Sequence, residues 1–552
     1  MTDPKMTGAS RKVRTLLIGL DGATFDVLDP LMQSGAMPFL RSFFAEGVRA
    51  DLRTIVPALT PPAWTSLVTG RKPGQHGVFD FFRMESAESR HIRFFTSHDV
   101  HCETIWSIAS DHDLRVTSLN YPGMFPAPRI NGTVVPGWVP WKQLRLACWP
   151  QDLFDRLKTI SGFNPRELAM DIKLEEKATE GCSDHEEYAP WIQMHIRREQ
   201  NWFEIFRHLS AEDPAELTAV LFDGVDKLQH LCWRFIRPED ATPLQEEWEL
   251  QIRELCIEYF RSLDKIIERM CATVGPETTV LLASDHGFGP TYKVFHINAW
   301  LEQKGYLSWS DAARSQAPNG ALLGVGQVAR HTWMLDWSKT KAYGATPTSN
   351  GIFIPVNRDG QSPGVSPEEY ESFRERLIAD LRAVRDPETG QPVVTGLWTR
   401  EEAFEGPQGS VAPDITLAFA DGGLVGILPS PHTISRRPVT GGAHRPVGIF
   451  GARGPGIRRG AQPHEMSILD VAPIVLHSLG LPVLAEMQGS VPAELYEPDA
   501  MRAHPVAKAA FSVNGKAVKN GTAPEQVMSS PVMSSEDEQI VMERLRELGY
   551  IE

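Results

Sequence analysis

The six cysteines of this 552-residue chain, at 102, 148, 182, 232, 256 and 271, form no Cys-x-x-Cys pair, so they encode neither a metal knuckle nor a redox motif. Apolar stretches long enough to cross a bilayer are missing as well, which removes a membrane partner from the expectation. Met1 to Lys12 lacks the apolar core of a signal peptide, and the expected location is the cytoplasm. Basic residues are outnumbered, 55 Lys and Arg against 70 Asp and Glu for a net charge of −15, which argues against a nucleic-acid polymer as partner. Gly451-Ala-Arg-Gly-Pro-Gly456 lacks the lysine and hydroxyl of a nucleotide P-loop and reads as a turn. Apolar material is not short: 42% of residues are hydrophobic, enough for one large core with insertions.

Three apolar runs of strand length each end in a carboxylate. Lys12 to Leu20 closes on Asp21-Gly22, Leu217 to Phe222 on Asp223-Gly-Val-Asp226 with His230 a helical turn later, and Thr278 to Ser284 on Asp285-His286-Gly287. In a parallel sheet the loops after such strands gather along one edge, so distant residues converge. A fourth segment, Thr440-Gly-Gly-Ala-His444-Arg-Pro446, reads as a glycine-rich loop with no convincing strand before it. With Thr60, the residues Asp21, Asp226, His230, Asp285, His286 and His444 read together as a two-metal phosphoryl-transfer site. A threonine hydroxyl is a poor nucleophile at neutral pH, and a dication beside it stabilises the alkoxide.

Thr60-Pro-Pro-Ala-Trp-Thr-Ser-Leu-Val-Thr69-Gly70 followed by Pro73-Gly-Gln-His76-Gly77 resembles the nucleophile segment of the alkaline phosphatase superfamily, in its type I phosphodiesterase and nucleotide pyrophosphatase branch. Asp226-x-x-x-His230, Ser284-Asp285-His286-Gly287 and Gly442-Ala-His444 are similar to that branch's metal motifs. Asp386-Pro-Glu-Thr-Gly390 and Ser467 to Pro473 look most like its bacterial phosphohydrolase or phosphomutase members. The resemblance implies an α/β fold, a doubly wound, mostly parallel alkaline phosphatase-like core with inserted cap regions. It implies one ion held by Asp21, Thr60, Asp285 and His286, and a second by Asp226, His230 and His444. Mixed carboxylate and imidazole ligands suit Zn²⁺, with Mn²⁺ as the alternative. The expected reaction is hydrolysis of a small phosphate mono- or diester through a phosphothreonine at Thr60. A phosphomutase or phosphotransferase shares the first half of that reaction, and a non-catalytic metal-containing binding protein shares the ligands. The sulfatase modification motif is missing from the nucleophile segment.

One departure stands out. Where nucleotide pyrophosphatases carry an asparagine that helps bind the phosphoryl oxygen, this chain carries Phe81, and a phenyl ring donates no hydrogen bond. Arg445, Arg83 and Lys293 are the cations that could take its place. Thr60 also has an ordinary alternative, capping a helix that starts at Pro61. Asp226 and His230 could be an exposed pair, His76 reads as structural, and the tryptophans at 138, 141 and 149 as packing for a cap.

The expected organisation is a first part of the core over 13–82, with a helix from Pro30 to Glu46; an inserted cap over 83–212; core with metal motifs over 213–290, where a long helix carries Leu255, Tyr259, Leu263, Ile266 and Ile267; a second variable region over 291–400, with a helix from Glu368 to Arg385; and a closing core segment over 401–500. A linker over 501–534 and a short helix over 535–552 follow, the latter with a capping box at Ser535-Glu-Asp-Glu538.

Overall fold

The apolar run after Arg14 becomes the centre of an eight-stranded sheet. A computed structural model of the chain describes residues 14–509, apart from residues 90, 170–181, 183, 312–331, 359 and 361–363. The main sheet is built from β1 (Thr15–Leu20), β2 (Val48–Arg53), β3 (Val116–Leu119), β4 (Gly132–Val135), β5 (Leu217–Phe222) and β6 (Thr279–Ala283). Two strands of a second sheet follow in the chain, β7 (Gly287–His296) and β8 (Ile434–Arg445), before the main sheet closes with β9 (Val447–Arg453) and β10 (Met466–Ser467). In space the order is β10-β2-β9-β6-β1-β5-β3-β4. β1 lies parallel between β5 and β6, and β9 alone runs antiparallel, between β2 and β6.

Side chains alternate across a strand, and β1 uses both faces. Leu16, Ile18 and Leu20 enter one apolar core with Trp202, Tyr259 and Leu263. Leu17 enters another with Trp64, Trp106 and Ile474. A sheet buried on both faces explains why β1 and β5 read as continuous apolar runs, and it makes the fold the doubly wound α/β type. The helices that matter for the site are α1 (Thr60–Thr69), α2 (Tyr188–Glu212), α3 (Gly224–Ile236) and α4 (Glu247–Val274). Tyr259, Leu263, Ile266 and Ile267 form the buried stripe of α4, with Leu255 half-buried beside them.

Several boundaries differ from the sequence reading. Residues 83–212, expected as an insertion, contribute β3 and β4 to the main sheet itself. The helix expected over Pro30 to Glu46 is two, Phe25–Gln33 and Pro38–Glu46. Gly35 at φ +81° and Pro38, which has no amide to donate, break it. The second variable region does carry its helix, Tyr370–Arg382, and it packs a third apolar cluster around Trp300, Tyr343, Phe373 and Leu377. The range read as a linker opens inside a helix, Pro498–Ala503, and includes a strand at Lys508–Ala509 paired with Val483–Leu484. The C-terminal helix expected from Ser535 lies outside the described residues.

Candidate metal centre and nucleophile

Four strand ends build one cluster. β1 delivers Asp21 and then Gly22, whose φ of +65° turns its amide back to donate to Asp285 Oδ1 at 3.0 Å. β5 delivers Asp223 and the first turn of α3, which carries Asp226, with His230 one turn further on the same face. β6 delivers Ser284, Asp285 and His286. The loop after β2 ends at Thr60, the first residue of α1. Leu59, not Thr60, occupies the capping position there, with no side-chain cap bond. The Thr60 hydroxyl stands instead 3.1 Å from His286 Nε2.

His444 arrives on a strand that sequence reading did not foresee. The glycine-rich segment is the end of β8, antiparallel to β7, in a register that sets His444 opposite Phe288. β7 starts directly after His286, so the pairing ties His444 to the Asp285-His286 motif. The glycines that disguise the strand are required by it. A Cβ at Gly442 would stand 2.5 Å from the Phe288 ring and 2.5 Å from the Gln229 carbonyl.

The three imidazoles share one arrangement. His230 Nδ1 lies 3.1 Å from the Gly442 carbonyl, His286 Nδ1 3.1 Å from the Gly287 carbonyl and His444 Nδ1 3.0 Å from the Ala58 carbonyl. A carbonyl only accepts, so each Nδ1 carries the proton and each Nε2 points its lone pair inward, as in metal-ligating histidines. His230 Nε2 and His444 Nε2 face each other at 3.0 Å. Two lone pairs that close repel, and only a cation, a proton or a metal ion, reconciles them. His444 Nε2 is also 3.3 Å from Asp226 Oδ1, and His286 Nε2 3.2 Å from Asp285 Oδ2.

The carboxylates show the same deficit of positive charge. Asp21 Oδ1, Asp226 Oδ1 and Asp285 Oδ2 are buried with no hydrogen-bond partner. Asp21, Asp285 and His286 can converge on one ion, and so can Asp226, His286 and His444. His230 joins the second group, 3.6 Å from Asp226. Without an ion, burial and then the charge of Asp285 push the Asp21 carboxyl well above its usual value. Burial first also raises Asp285, to about 7. Burial opposes the charge of Asp226, but His230 and His444 outweigh it and hold that carboxyl below the usual range. His230 is lowered to about 4 by burial. For His444, the contact with Asp226 overcomes burial and raises it. Three carboxylates and three imidazoles, with donor atoms turned inward and unbonded, fit divalent metal ions.

The family model of type I phosphodiesterases and nucleotide pyrophosphatases matches residues 15–430. The chain belongs to that family. Members are metal-dependent hydrolases of phosphoester bonds acting on small phosphorylated substrates, and the chain is an enzyme of this class with an alkaline phosphatase-like fold. The curated proteins contain no match. Among solved structures, murine ectonucleotide pyrophosphatase/phosphodiesterase 5 is 14% identical, with 88% of this chain and 100% of that one covered and a TM-score of 0.49. Phosphonoacetate hydrolase from Sinorhizobium meliloti 1021, in complex with phosphonoacetate, is 15% identical, with 85% and 96% covered and a TM-score of 0.47. His444 lies beyond the matched range.

Around this phosphodiesterase-family cluster lies a cleft of roughly 360 Å³ lined by Asp21, Thr60, Asp226, His230 and His444 together with Leu59, Phe81, Trp138, Trp398 and Phe419. The cations expected to bind phosphate are engaged elsewhere. Arg83 donates to the Gly77 carbonyl at 3.1 Å and pairs with Asp99 at 3.2 Å. Lys293 is held by Asp386 and, at 2.7 Å, by Glu388. Neither lines the cleft. Arg445 does, but its guanidinium donates to the carbonyls of Ala443, His444, Pro290 and Asp421. His76 is structural: its Nδ1 accepts from the Val78 amide at 3.2 Å and its Nε2 meets Ser66 Oγ at 2.9 Å. Trp138, expected to pack a cap, stacks on Phe81 at 5.1 Å and 16° and lines the cleft. The sequence reading also passed over Asp223 and Lys227. Their spacing of four across the start of α3, which Asp223 precedes, was the available signal, since it matches that of Asp226 and His230.

No helix among the described residues is long and apolar enough to cross a membrane.

Proposed function

We propose that the enzyme hydrolyses a phosphate mono- or diester by attack of Thr60 Oγ1 on phosphorus. The bond to the leaving oxygen breaks, a phosphothreonine forms, and water then cleaves it. The observation that carries this reading is the position of the Thr60 hydroxyl, released from capping duty and turned to His286 Nε2, which itself lies 3.2 to 3.9 Å from three carboxylate oxygens that have no hydrogen-bond partner. Two divalent ions, zinc or alternatively manganese, held by Asp21, Thr60, Asp285 and His286 and by Asp226, His230 and His444, would supply the charge that activates the hydroxyl and steadies the leaving oxygen. The chain's own contribution is positioning. The Gly287, Gly442 and Ala58 carbonyls fix the three imidazoles, and Gly22 fixes Asp285. Thr60 sits at the amino terminus of α1, where backbone amides favour a bound phosphoryl anion. Apolar walls around the cleft exclude water and strengthen each of these interactions.

Acid-quenching the enzyme during turnover should leave an adduct on the Thr60 peptide, read by mass spectrometry: a p-nitrophenylphosphoryl group from bis-p-nitrophenyl phosphate and a phosphoryl group from p-nitrophenyl phosphate. Thr60→Ala should lose turnover by on the order of 10,000-fold. Full turnover in that variant would contradict the nucleophile. Added alcohols, by partitioning the phosphothreonine, separate hydrolysis from transfer to a second hydroxyl.

A further inference from the structure

α3 carries Asp226 and His230, and its first amide is held from outside the helix. Asp223 occupies the capping position and makes no side-chain cap bond. The Gly224 amide donates instead to Glu199 Oε1, a residue of α2, at 2.9 Å. The Tyr259 hydroxyl, from α4, donates to the same oxygen at 2.9 Å. Glu199 and Tyr259 are both buried, so two neighbouring helices meet the start of the metal-ligand helix at one carboxyl oxygen. Gly224 is what lets them come so close. Its backbone is helical, so space rather than conformation calls for glycine there. A Cβ would stand 2.5 Å from Glu199 Oε1 and 2.6 Å from the Tyr259 hydroxyl.

A carboxyl group is a costly way to join three helices. Burial, and then the charge of Asp223, push Glu199 up to about 8. Its Oε2 is buried with no hydrogen-bond partner, a loss that an apolar side chain of similar volume would avoid. What the carboxyl does supply is a fixed acceptor for one amide. The first amides of a helix have no partner inside it, and Asp226 sits in that first turn, two residues after Gly224. The other ligand of the helix, His230, is already fixed through Nδ1 at the Gly442 carbonyl. We propose that Glu199, braced by Tyr259, is a positioning residue of the metal centre. By accepting from the Gly224 amide in place of a cap, it fixes the Asp226 carboxylate where it meets His230 and His444, and so sets the affinity for the ion that those three hold. Groups that orient a metal ligand in this way act on the metal without touching it.

This inference rests on the two-ion reading, so the ions are measured one at a time, by equilibrium dialysis against buffered Zn²⁺ with bound metal counted by mass spectrometry. Asp285→Asn leaves the ion of Asp226, His230 and His444 to be read, and Asp226→Asn leaves the other. Added to Asp285→Asn, Glu199→Met should weaken the remaining ion about 10- to 100-fold, the usual effect of removing a group that orients a ligand. Added to Asp226→Asn, it should leave the other ion within about twofold. Glu199→Gln keeps an oxygen for the Gly224 amide and should hold both ions within about threefold of wild type. Gly224→Ala keeps every polar group and introduces a better helix former, yet it should weaken the same ion about 10-fold, because the methyl group lifts the turn off Glu199. If Glu199→Met does not fold, Gly224→Ala decides. Equal weakening of both ions, an unchanged affinity for the ion at Asp226, or Glu199→Gln as weak as Glu199→Met each overturns the proposal. If wild type binds two ions and Asp226→Asn loses one while Glu199→Met binds both normally, only this inference fails; if Asp226→Asn binds as many ions as wild type, the underlying reading fails first.

Discussion

Asp223 and Asp226 leave the same strand three residues apart, both close to fully charged, and they are held so by different means. The Asp223 carboxylate is met by Arg198, Lys227, Trp138 and Asn120. Burial works against its charge, but Arg198 and Lys227 outweigh it and hold the carboxyl far below the usual range. Asp226 is held down by imidazoles alone, and one of its oxygens has no hydrogen-bond partner. Asp21 and Asp285 beside it are pushed up instead. In one cluster the aspartate is matched by cations of the chain itself. The other lacks cations to match its carboxylates, which is what makes it a candidate metal centre, although both are made of buried aspartates.

The largest test of that contrast is to neutralise one carboxylate in each cluster. Asp285→Asn should lower turnover by on the order of 1,000-fold, with loss of bound metal. In the chelated protein the same change should leave stability equal or higher, because it removes a buried like charge. Asp223→Asn should do the reverse to stability, costing about 3 kcal/mol in urea unfolding because it removes the buried carboxylate that both Arg198 and Lys227 contact. If the two variants moved chelated-protein stability in the same direction, the comparison would collapse.

The pH dependence separates the clusters next. In metal-free protein the folded value of Asp285, about 7, lies above its unfolded value. Its protonated form is therefore the stabilised one. That stability is fully present below the unfolded value and is lost as pH rises towards about 7. Asp223 has a lowered folded value, so its contribution is present at neutral pH and is lost as pH falls into the acid range. Melting temperatures of chelated wild type minus Asp285→Asn should thus decline from pH 4 to pH 7. Metal should remove the decline, and its persistence in loaded protein would contradict metal binding at Asp285.

Smaller effects sharpen the cleft side. Phe81→Leu should cost about 1 kcal/mol through loss of its stack on Trp138, seen as a modest drop in melting temperature. Lys293→Met, a change at an ion pair away from the cleft, should leave kcat/KM within about twofold.

Much of the site was legible because the chemistry sits where hydrophobic pattern ends. β1, β5 and β6 are continuous apolar runs, and the first charged residue after each is a cluster carboxylate or its neighbour. The strand carrying His444 was hidden because close approach to Phe288 and α3 demands glycine, which erases the strand signal. Thr60 was legible as a candidate nucleophile from its motif, but its alternative as the cap of a helix from Pro61 could be weighed only in the fold, where Leu59 takes the capping position. The fate of Arg83, Lys293 and Arg445 was not legible at all. A cation's partner is set by tertiary approach, and Asp99, Glu388 and the Pro290 carbonyl carry no sequence mark. β3 and β4 were overlooked because tryptophans and prolines around them resemble cap material, although Val116 to Leu119 and Gly132 to Val135 are fully buried.

The central claim is that the Asp21, Asp226 and Asp285 cluster is completed by divalent ions that the Thr60 chemistry requires. Metal per chain should be measured by mass spectrometry on purified enzyme, with p-nitrophenyl ester turnover before chelation, after chelation and after Zn²⁺ or Mn²⁺ is restored. The account predicts two ions per chain and turnover that disappears and returns with them. Enzyme that is metal-free and fully active would contradict it.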